Sequence, residues 1–115
     1  VQYGLPEYRE HAEELLRQCR KRDIGTMVIK SITKGPWGEK IKTYDIWYEP
    51  FTQPNDIQKA ISFVLSLDIT GLCTASDTDL LPLILQACEE YSHIPPDKQE
   101  EMIINSSKYK PLFNV

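Results

Sequence analysis

Cysteine and histidine are scarce in this sequence, with three cysteines and two histidines among 115 residues. The spacing of Cys19, Cys73 and Cys88 fits neither a metal cluster nor a disulfide framework. His11 and His93 also lack a further ligand residue at metal-binding spacing, so we expect no metal site. The cysteines are interpreted as small buried residues, Cys73 in a strand and Cys88 on a helix, and catalytic thiol chemistry is the less favoured alternative.

An excess of positive charge is also lacking, since 13 lysines and arginines stand against 17 acidic residues. Nucleic-acid and anionic-membrane surfaces need clustered cations, so we expect neither partner. No apolar run approaches the roughly 18 to 20 residues of a membrane helix, and no charged-then-apolar leader opens the chain. These absences predict a cytoplasmic protein with one domain over residues 1–115 and no second domain.

The most informative stretch is residues 25–38, GTMVIKSITKGPWG. Its apolar run is too continuous for a half-solvated antiparallel strand, which predicts a strand over residues 24–32 that is covered by helices on both faces, as in parallel α/β sheets. The residues that follow would lie at the carboxyl end of the strand, where such sheets bind ligands; they are Lys30, Ser31, Thr33, Lys34 and Gly35. For Lys30, contact with a cofactor or substrate is favoured over a Schiff base and over a solvated side chain.

Helical periodicity flanks this strand on both sides. Pro6 opens a helix whose apolar positions recur at helical spacing until about Arg22, and Pro54 opens another that ends before Asp68. Residues 69–74, ITGLCT, form a second short apolar run. Strand, helix and strand in this order predict a βαβ unit, so the two strands should be adjacent and parallel.

The remaining segments carry weaker signals. Residues 35–54 are a long connection with five aromatic side chains, and packing over the domain is favoured over a substrate platform. A third helix is expected through about Tyr91, with N-cap candidates at Ser76, Asp77 and Thr78. Asp97 is expected to cap a final short helix. Because two parallel strands leave open edges, something must continue the sheet.

Two quoted segments carry a family resemblance. PEYREHAEELLRQCRKRDIGTMVIKSI resembles the sixth helix and seventh strand of the aldo/keto reductases, and DIQKAISFVLS followed by ITGLCTASD resembles their seventh helix, eighth strand and following turn. The IWYEPF loop and the LLPLILQACEEY helix are similar to one bacterial branch. The resemblance implies an α/β chain that is the C-terminal fragment of a (β/α)8 TIM barrel, from helix 6 to helix 8 and the C-terminal tail. Since a whole barrel needs roughly 250 residues and the chain opens at Val1, we expect a piece of a longer protein.

The function that the resemblance implies is NAD(P)H-dependent reduction of carbonyls to alcohols. The family's catalytic Asp, Tyr, Lys and His lie on the first half of its barrel and have no counterpart here, so this chain should contribute cofactor contacts but no catalytic groups. On the family pattern the pyrophosphate contacts fall on Lys30, Ser31, Ile32 and Gly35. The turn at the other end of the cofactor falls on Thr74, Ala75 and Ser76.

The sequence departs from the family in that second turn. Asp77 stands where a cation near the 2′-phosphate is expected, and Leu81 and Leu85 replace an adenine-contacting Gln and Asn. The choice between NADP and NAD therefore stays open. The expected partners are a nicotinamide cofactor and a small carbonyl substrate in the full-length protein, and the fragment should self-associate or pair with the rest of the barrel. The alternative is a stand-alone, non-enzymatic binding or assembly module derived from such a barrel.

Overall fold

Four α-helices and two small sheets form a mixed helix/sheet domain in the computed structural model, which describes residues 1–114. The helices are α1 (Pro6–Lys21), α2 (Pro54–Leu65), α3 (Leu81–Glu89) and α4 (Pro96–Asn105). The strands are β1 (Met27–Val28), β2 (Thr33–Pro36), β3 (Tyr48–Pro50) and β4 (Gly71–Leu72). Short 3-10 helices at Gln2–Gly4 and Ser106–Lys108 lie near the two ends.

A proline in the first turn starts each of the four helices. Proline suits this position because its missing amide has no intrahelical partner there and its φ is already helical. The predicted starts at Pro6 and Pro54 are therefore confirmed. Two residues beyond the end of α1, Asp23 has a left-handed backbone with a φ of 54°. None of the described helices has both the length and the apolar composition needed to cross a bilayer.

The strands β1 and β4 pair in parallel, with Met27 opposite Gly71 and Val28 opposite Leu72. This pairing confirms the predicted neighbours, although each strand is only two residues long. The connecting helix α2 covers one side, because Leu72 packs on a core cluster that contains Ile57.

The other expectation for β1, that helices cover both of its faces, is wrong. Met27 is 61% exposed and Ile29 is 56% exposed. The helix α1 leaves both side chains exposed and has no buried residue of its own. An apolar run shows that a strand can be buried on both sides, but it does not place a helix over either side.

An antiparallel hairpin of β2 and β3 occupies part of the segment that we predicted as a long connection. The pairing joins Gly35 to Glu49 and contains a bulge. The predicted packing is confirmed for Trp37 and Tyr48, which are 7% and 5% exposed, whereas Trp47 is 55% exposed. The indole N–H of Trp37 donates a 2.8 Å hydrogen bond to the carbonyl of Ile46, which closes the loop against the hairpin.

The core lies between α2, α3 and the turn after β1. Its fully buried side chains are Ile32, Ile57, Ile61, Leu80 and Ile84. Each buried aliphatic side chain of this kind contributes about 1.5–3 kcal/mol relative to exposure. This cluster fixes the turn after β1 in place, because Ile32 is part of it.

The predicted caps of α3 are wrong. The helix starts at Leu81, and no side chain caps it. The carboxylate of Asp77 instead accepts the backbone amides of Asp79 at 2.9 Å and of Asp45 at 2.7 Å. Asp97 likewise lies inside the first turn of α4, whose N-cap residue is Pro95.

Candidate functional site

The carboxyl ends of β1 and β4 lie at the same edge of their sheet because the strands are parallel. The amide of Cys73 donates a 2.8 Å hydrogen bond to the carbonyl of Val28, which extends the pairing to this edge. Lys30 and Ser31 follow β1, and residues 74–76 follow β4. Both groups of predicted cofactor-binding residues therefore leave the sheet on the same side.

Lys30 occupies a tight turn. Its φ is 59°, which is rare for a residue with a side chain. Its carbonyl accepts hydrogen bonds from the Thr33 amide at 3.1 Å and from Thr33 Oγ1 at 2.7 Å. Its Nζ lies 5.5 Å from the ring centroid of Trp47 and 5.9 Å from that of Phe113. Among residues 1–114, no side-chain carboxylate forms an ion pair with this ammonium group.

The Oγ of Ser31 is buried and has no hydrogen-bond partner among the described residues. A buried hydroxyl without a partner is unfavourable, and such a group in a native structure needs an explanation. Ser31 follows directly on the Lys30 ammonium in the chain and lines the same groove. A cation and a hydroxyl on consecutive residues are groups that bind phosphate oxygens.

Ile32 and Gly35, the other two predicted pyrophosphate contacts, are less accessible. The Ile32 side chain is 1% exposed, and its carbonyl already accepts the amide of Phe51 at 2.8 Å. A Cβ built on Gly35 would lie 2.8 Å from the carbonyl oxygen of Lys110. The backbone of the C-terminal segment therefore packs closely against Gly35, which is possible because glycine has no Cβ.

The turn after β4 is tied to the loop before β3. Thr74 is exposed, Ala75 packs on the core, and Ser76 Oγ donates a 3.4 Å hydrogen bond to the carbonyl of Asp45. Asp77 binds the amide of the same Asp45. Because Trp47 lies two residues further along this loop, residues 45–47 connect the two halves of the candidate site.

Sequence reasoning missed Asp45 and Phe113 at this site, and for Trp47 it favoured packing over a binding role. The aromatic content of residues 35–54 was the available signal for Trp47. No local pattern brings Phe113 to Lys30, because the two residues are more than 80 positions apart. Only the folded chain places these rings around the ammonium group.

The neighbouring charges are engaged elsewhere. Hydrogen bonding by Lys40 is the largest cause of the lowered pKa of Glu49; burial opposes it, and hydrogen bonding by Lys34 adds a smaller lowering effect. Lys34, predicted at the carboxyl end of the strand, therefore pairs across the hairpin, with its Nζ 3.0 Å from Glu49 Oε1. Asp77 supplies a negative charge on the β4 side of the site.

Within residues 1–114, no group of side chains is assembled for metal binding or for thiol chemistry. No set of three or more His, Cys, Asp or Glu residues there is placed to hold a metal ion. Cys73 is exposed and lies just beyond β4, so the interpretation of it as a buried strand residue is wrong. Cys88 is partly buried on α3, as predicted, and burial raises the pKa of its thiol. His11 and His93 are exposed.

The residues present fit one part of a dinucleotide better than another. Lys30 and Ser31 offer a cation and a hydroxyl for a pyrophosphate, and the half-exposed ring of Trp47 offers a face for stacking. Asp77 would repel a second phosphate on the ribose but is compatible with a free ribose hydroxyl.

No match to this chain was found among protein-family models, curated proteins or solved structures. The likeness to aldo/keto reductases thus rests on the sequence segments quoted above.

Proposed function

We propose that this chain supplies part of the cofactor-binding site of a cytoplasmic NAD(P)H-dependent carbonyl reductase built on an aldo/keto reductase type of barrel. The observation that carries the proposal is the pair Lys30 and Ser31. It combines a cation without a carboxylate partner and a buried hydroxyl without a hydrogen-bond partner within residues 1–114. The parallel order of β1 and β4 supports the barrel, and three free thiols are compatible with a reducing compartment.

The two ends of the site have different roles in this proposal. Lys30 and Ser31 bind the pyrophosphate, whereas Ile32 and Gly35 pack this turn against the core and the C-terminal segment. Thr74, Ala75 and Ser76 lie at the adenosine end, where amides of the turn can donate to the cofactor. Asp77 makes this end unfavourable for a 2′-phosphate, so NAD(H) is preferred over NADP(H).

The bound nicotinamide would supply the hydride for reducing a small carbonyl compound. In this proposal the chain contributes only cofactor binding, because it carries no counterpart of the family's proton-donating Tyr or of the residues that orient it. Without a general acid, a cofactor site alone does not reduce a carbonyl. The rest of the barrel, or further copies of the chain, would complete the sheet at its open edges.

Calorimetric titration of the 115-residue chain with NADH and NADPH tests the proposal. We expect NADH to bind more tightly, Lys30→Met to weaken binding about tenfold, and Lys30→Arg to retain most of it. The matched control is Lys42→Met, an exposed lysine outside the site, which should bind like the unchanged chain. Equal binding by the Lys30→Met and Lys42→Met variants, or no binding by any of them, would overturn the proposal.

A separate variant tests the preference for an unphosphorylated ribose. Asp77→Asn removes the negative charge and keeps one side-chain oxygen, which can accept one of the two amides, of Asp45 or of Asp79, that the two Asp77 oxygens accept. We expect it to narrow the difference between NADH and NADPH without weakening NADH. If the difference in affinity between NADH and NADPH stayed the same, Asp77 would not face the ribose.

A further inference from the structure

The C-terminal segment, residues 109–114, lies across the turn that carries Lys30. Three contacts anchor its first part. The ring of Tyr109 meets the ring of Phe51 edge-on with 5.2 Å between the centroids, the carbonyl of Lys110 lies against Gly35, and Leu112 packs on the core cluster. The segment is therefore fixed as far as residue 112.

Beyond this anchor, Phe113 lies beside the Lys30 ammonium group. The centroid of its ring is 5.9 Å from Lys30 Nζ and 6.1 Å from the centroid of Trp47, and the Trp47 centroid is 5.5 Å from Nζ. The three groups thus form a nearly equilateral triangle. A phosphate oxygen binds an ammonium nitrogen at about 2.7–2.9 Å, so a phosphate that approached from this side would overlap with the Phe113 ring.

One side chain, that of Gln2, holds the backbone of Phe113. Gln2 Nε2 donates a 2.9 Å hydrogen bond to the Phe113 carbonyl, and the Phe113 amide donates a 3.4 Å hydrogen bond to Gln2 Oε1. Among residues 1–114, no backbone–backbone hydrogen bond involves residues 110–114. The position of Phe113 therefore depends on the Gln2 side chain more than on regular secondary structure.

This Gln2–Phe113 pair is firmly mounted at one end and weakly held at the other. Gln2 belongs to the first 3-10 helix, and a Cβ built on Gly4 of that helix would lie 2.6 Å from Ser106 Oγ, so the two chain ends pack closely. Phe113 is 47% exposed, and both hydrogen bonds of the pair are exposed. Because water can replace such hydrogen bonds, Phe113 can open locally while the domain stays folded.

The Phe113 ring is a weak occupant of a cationic site. Among residues 1–114, Lys30 has no carboxylate partner, and an aromatic ring takes the place that an ion pair would fill. The contact between an ammonium group and a half-exposed ring is weaker than charge-assisted hydrogen bonds to phosphate oxygens. An anionic ligand can therefore displace the ring.

We propose that Phe113 is a gate on the Lys30 site, which the Gln2 side chain holds closed and an anionic ligand opens. In the closed state the ring covers Lys30 and part of Trp47. In the open state the segment stays anchored as far as Leu112, while the Gln2–Phe113 pair is broken. The apparent affinity for the ligand is then the intrinsic affinity reduced by the fraction of open chains. The inference rests on the proposed function for the identity of the ligand, but closure can be measured without any ligand.

Access to Lys30 is measured by the rate at which N-hydroxysuccinimidyl acetate acetylates it, followed by peptide mass spectrometry. Gln2→Met removes both hydrogen bonds of the pair, and Phe113→Ala removes the ring. We expect each variant to raise the Lys30 rate about threefold, which is the effect of losing roughly one net hydrogen bond. The rate at the exposed Lys42 is the internal reference and should not change. An unchanged Lys30 rate in either variant would overturn the proposal.

Calorimetric titration with NADH and with inorganic pyrophosphate tests opening by a ligand. We expect Gln2→Met and Phe113→Ala each to raise the affinity about threefold, and the double variant to gain no more than Phe113→Ala alone, because both act on one gate. The matched controls are Gln86→Met, which removes an exposed hydrogen bond on α3, and Ile104→Ala, at an exposed apolar side chain. Additive gains, or a loss of affinity in Phe113→Ala, would overturn the proposal.

The proposed function and the gate fail in different ways. If neither NADH nor pyrophosphate binds any variant, the proposed function fails together with opening by an anion, and the Lys30 acetylation rates still decide whether the Gln2 side chain keeps the site closed. If Lys30→Met weakens NADH binding while Gln2→Met changes neither the acetylation rate nor the affinity, the gate fails and the proposed function stands. Unchanged far-ultraviolet circular dichroism of each variant establishes that folded proteins are compared.

Discussion

The ammonium nitrogen of Lys30 lies 5.5 Å from the centroid of the Trp47 ring, which brings the turn after β1 to the loop before β3. A cation at this distance from an indole face is attracted by the ring quadrupole. The backbone of Lys30 is left-handed, so the turn needs support from its surroundings. We infer that Trp47 restrains the position of the ammonium group.

A double-mutant cycle of Lys30→Met and Trp47→Leu measures this contact. Urea unfolding should give a coupling free energy of about 0.5–1 kcal/mol, since the ring is half exposed. The same cycle between Lys42→Met and Trp47→Leu is the control and should give none. A coupling indistinguishable from the control would show that the ring and the cation are near each other without interacting.

Two adjacent residues of α3 should differ sharply in their contribution to stability. Ile84 is 1% exposed, whereas Leu85 is 52% exposed. Ile84→Ala leaves a cavity in the core and should lower the free energy of unfolding by about 2–5 kcal/mol. Leu85→Ala should change it by less than about 0.5 kcal/mol. Similar losses in urea unfolding would mean that α3 does not pack with the face described.

The C-terminus of α1 offers a stabilising substitution. The Asp23 amide donates to Arg20 and the Ile24 amide to Cys19, as in a Schellman motif, and Asp23 has a φ of 54°. Asp23→Gly should raise the free energy of unfolding by about 0.5–1 kcal/mol, because glycine adopts this conformation without a steric penalty. Asp23→Val removes the same charge but should lower it, since a branched Cβ disfavours positive φ. Equal thermal shifts in the two variants would assign the effect to charge.

Tyr3 should make stability depend on alkaline pH. Burial, and secondarily the Glu13 carboxylate, raise its pKa from 10.0 to about 12. The folded state thus keeps a proton that the unfolded state loses, so the contribution of Tyr3 is complete below pH 10 and is lost between pH 10 and 12. Because Tyr3 is only partly buried, we expect a loss on the order of 1 kcal/mol.

The measurement is urea unfolding across this pH range for the unchanged chain and for Tyr3→Phe. The phenylalanine variant should show a shallower decline above pH 10, because it has no proton to lose there. Tyr91→Phe, at an exposed tyrosine, is the control and should decline like the unchanged chain. Identical slopes in all three proteins would contradict the burial of the Tyr3 hydroxyl.

Much of the helical architecture followed from the sequence. Pro6 and Pro54 marked helix starts because proline stabilises the first turn by itself, without help from distant residues. The order of strand, helix and strand predicted the parallel pairing of β1 and β4, since the handedness of the crossover leaves few alternatives. The placement of Lys30 and Ser31 at the end of β1 followed from the same reasoning.

The hairpin could not be predicted in the same way. Both of its strands end in proline, Pro36 and Pro50, and proline weakens a strand signal because it cannot donate to the ladder. The start of α3 was misplaced for a related reason. Asp77 is a good cap by composition, but its carboxylate is used by the Asp45 amide from a distant loop.

By itself, the sequence determined features that depend on neighbouring residues: where α1 and α2 begin, that β1 and β4 are strands, and which residue types follow these two strands. Only the tertiary structure decided that Met27 stays exposed, that Phe113 reaches Lys30, and that Gln2 pairs with Phe113. The physical reason is that local preferences act through the backbone and through the few residues on either side. Burial and long-range contacts depend instead on which surfaces of the folded chain meet. Many tertiary arrangements of the same helices and strands satisfy the same local preferences.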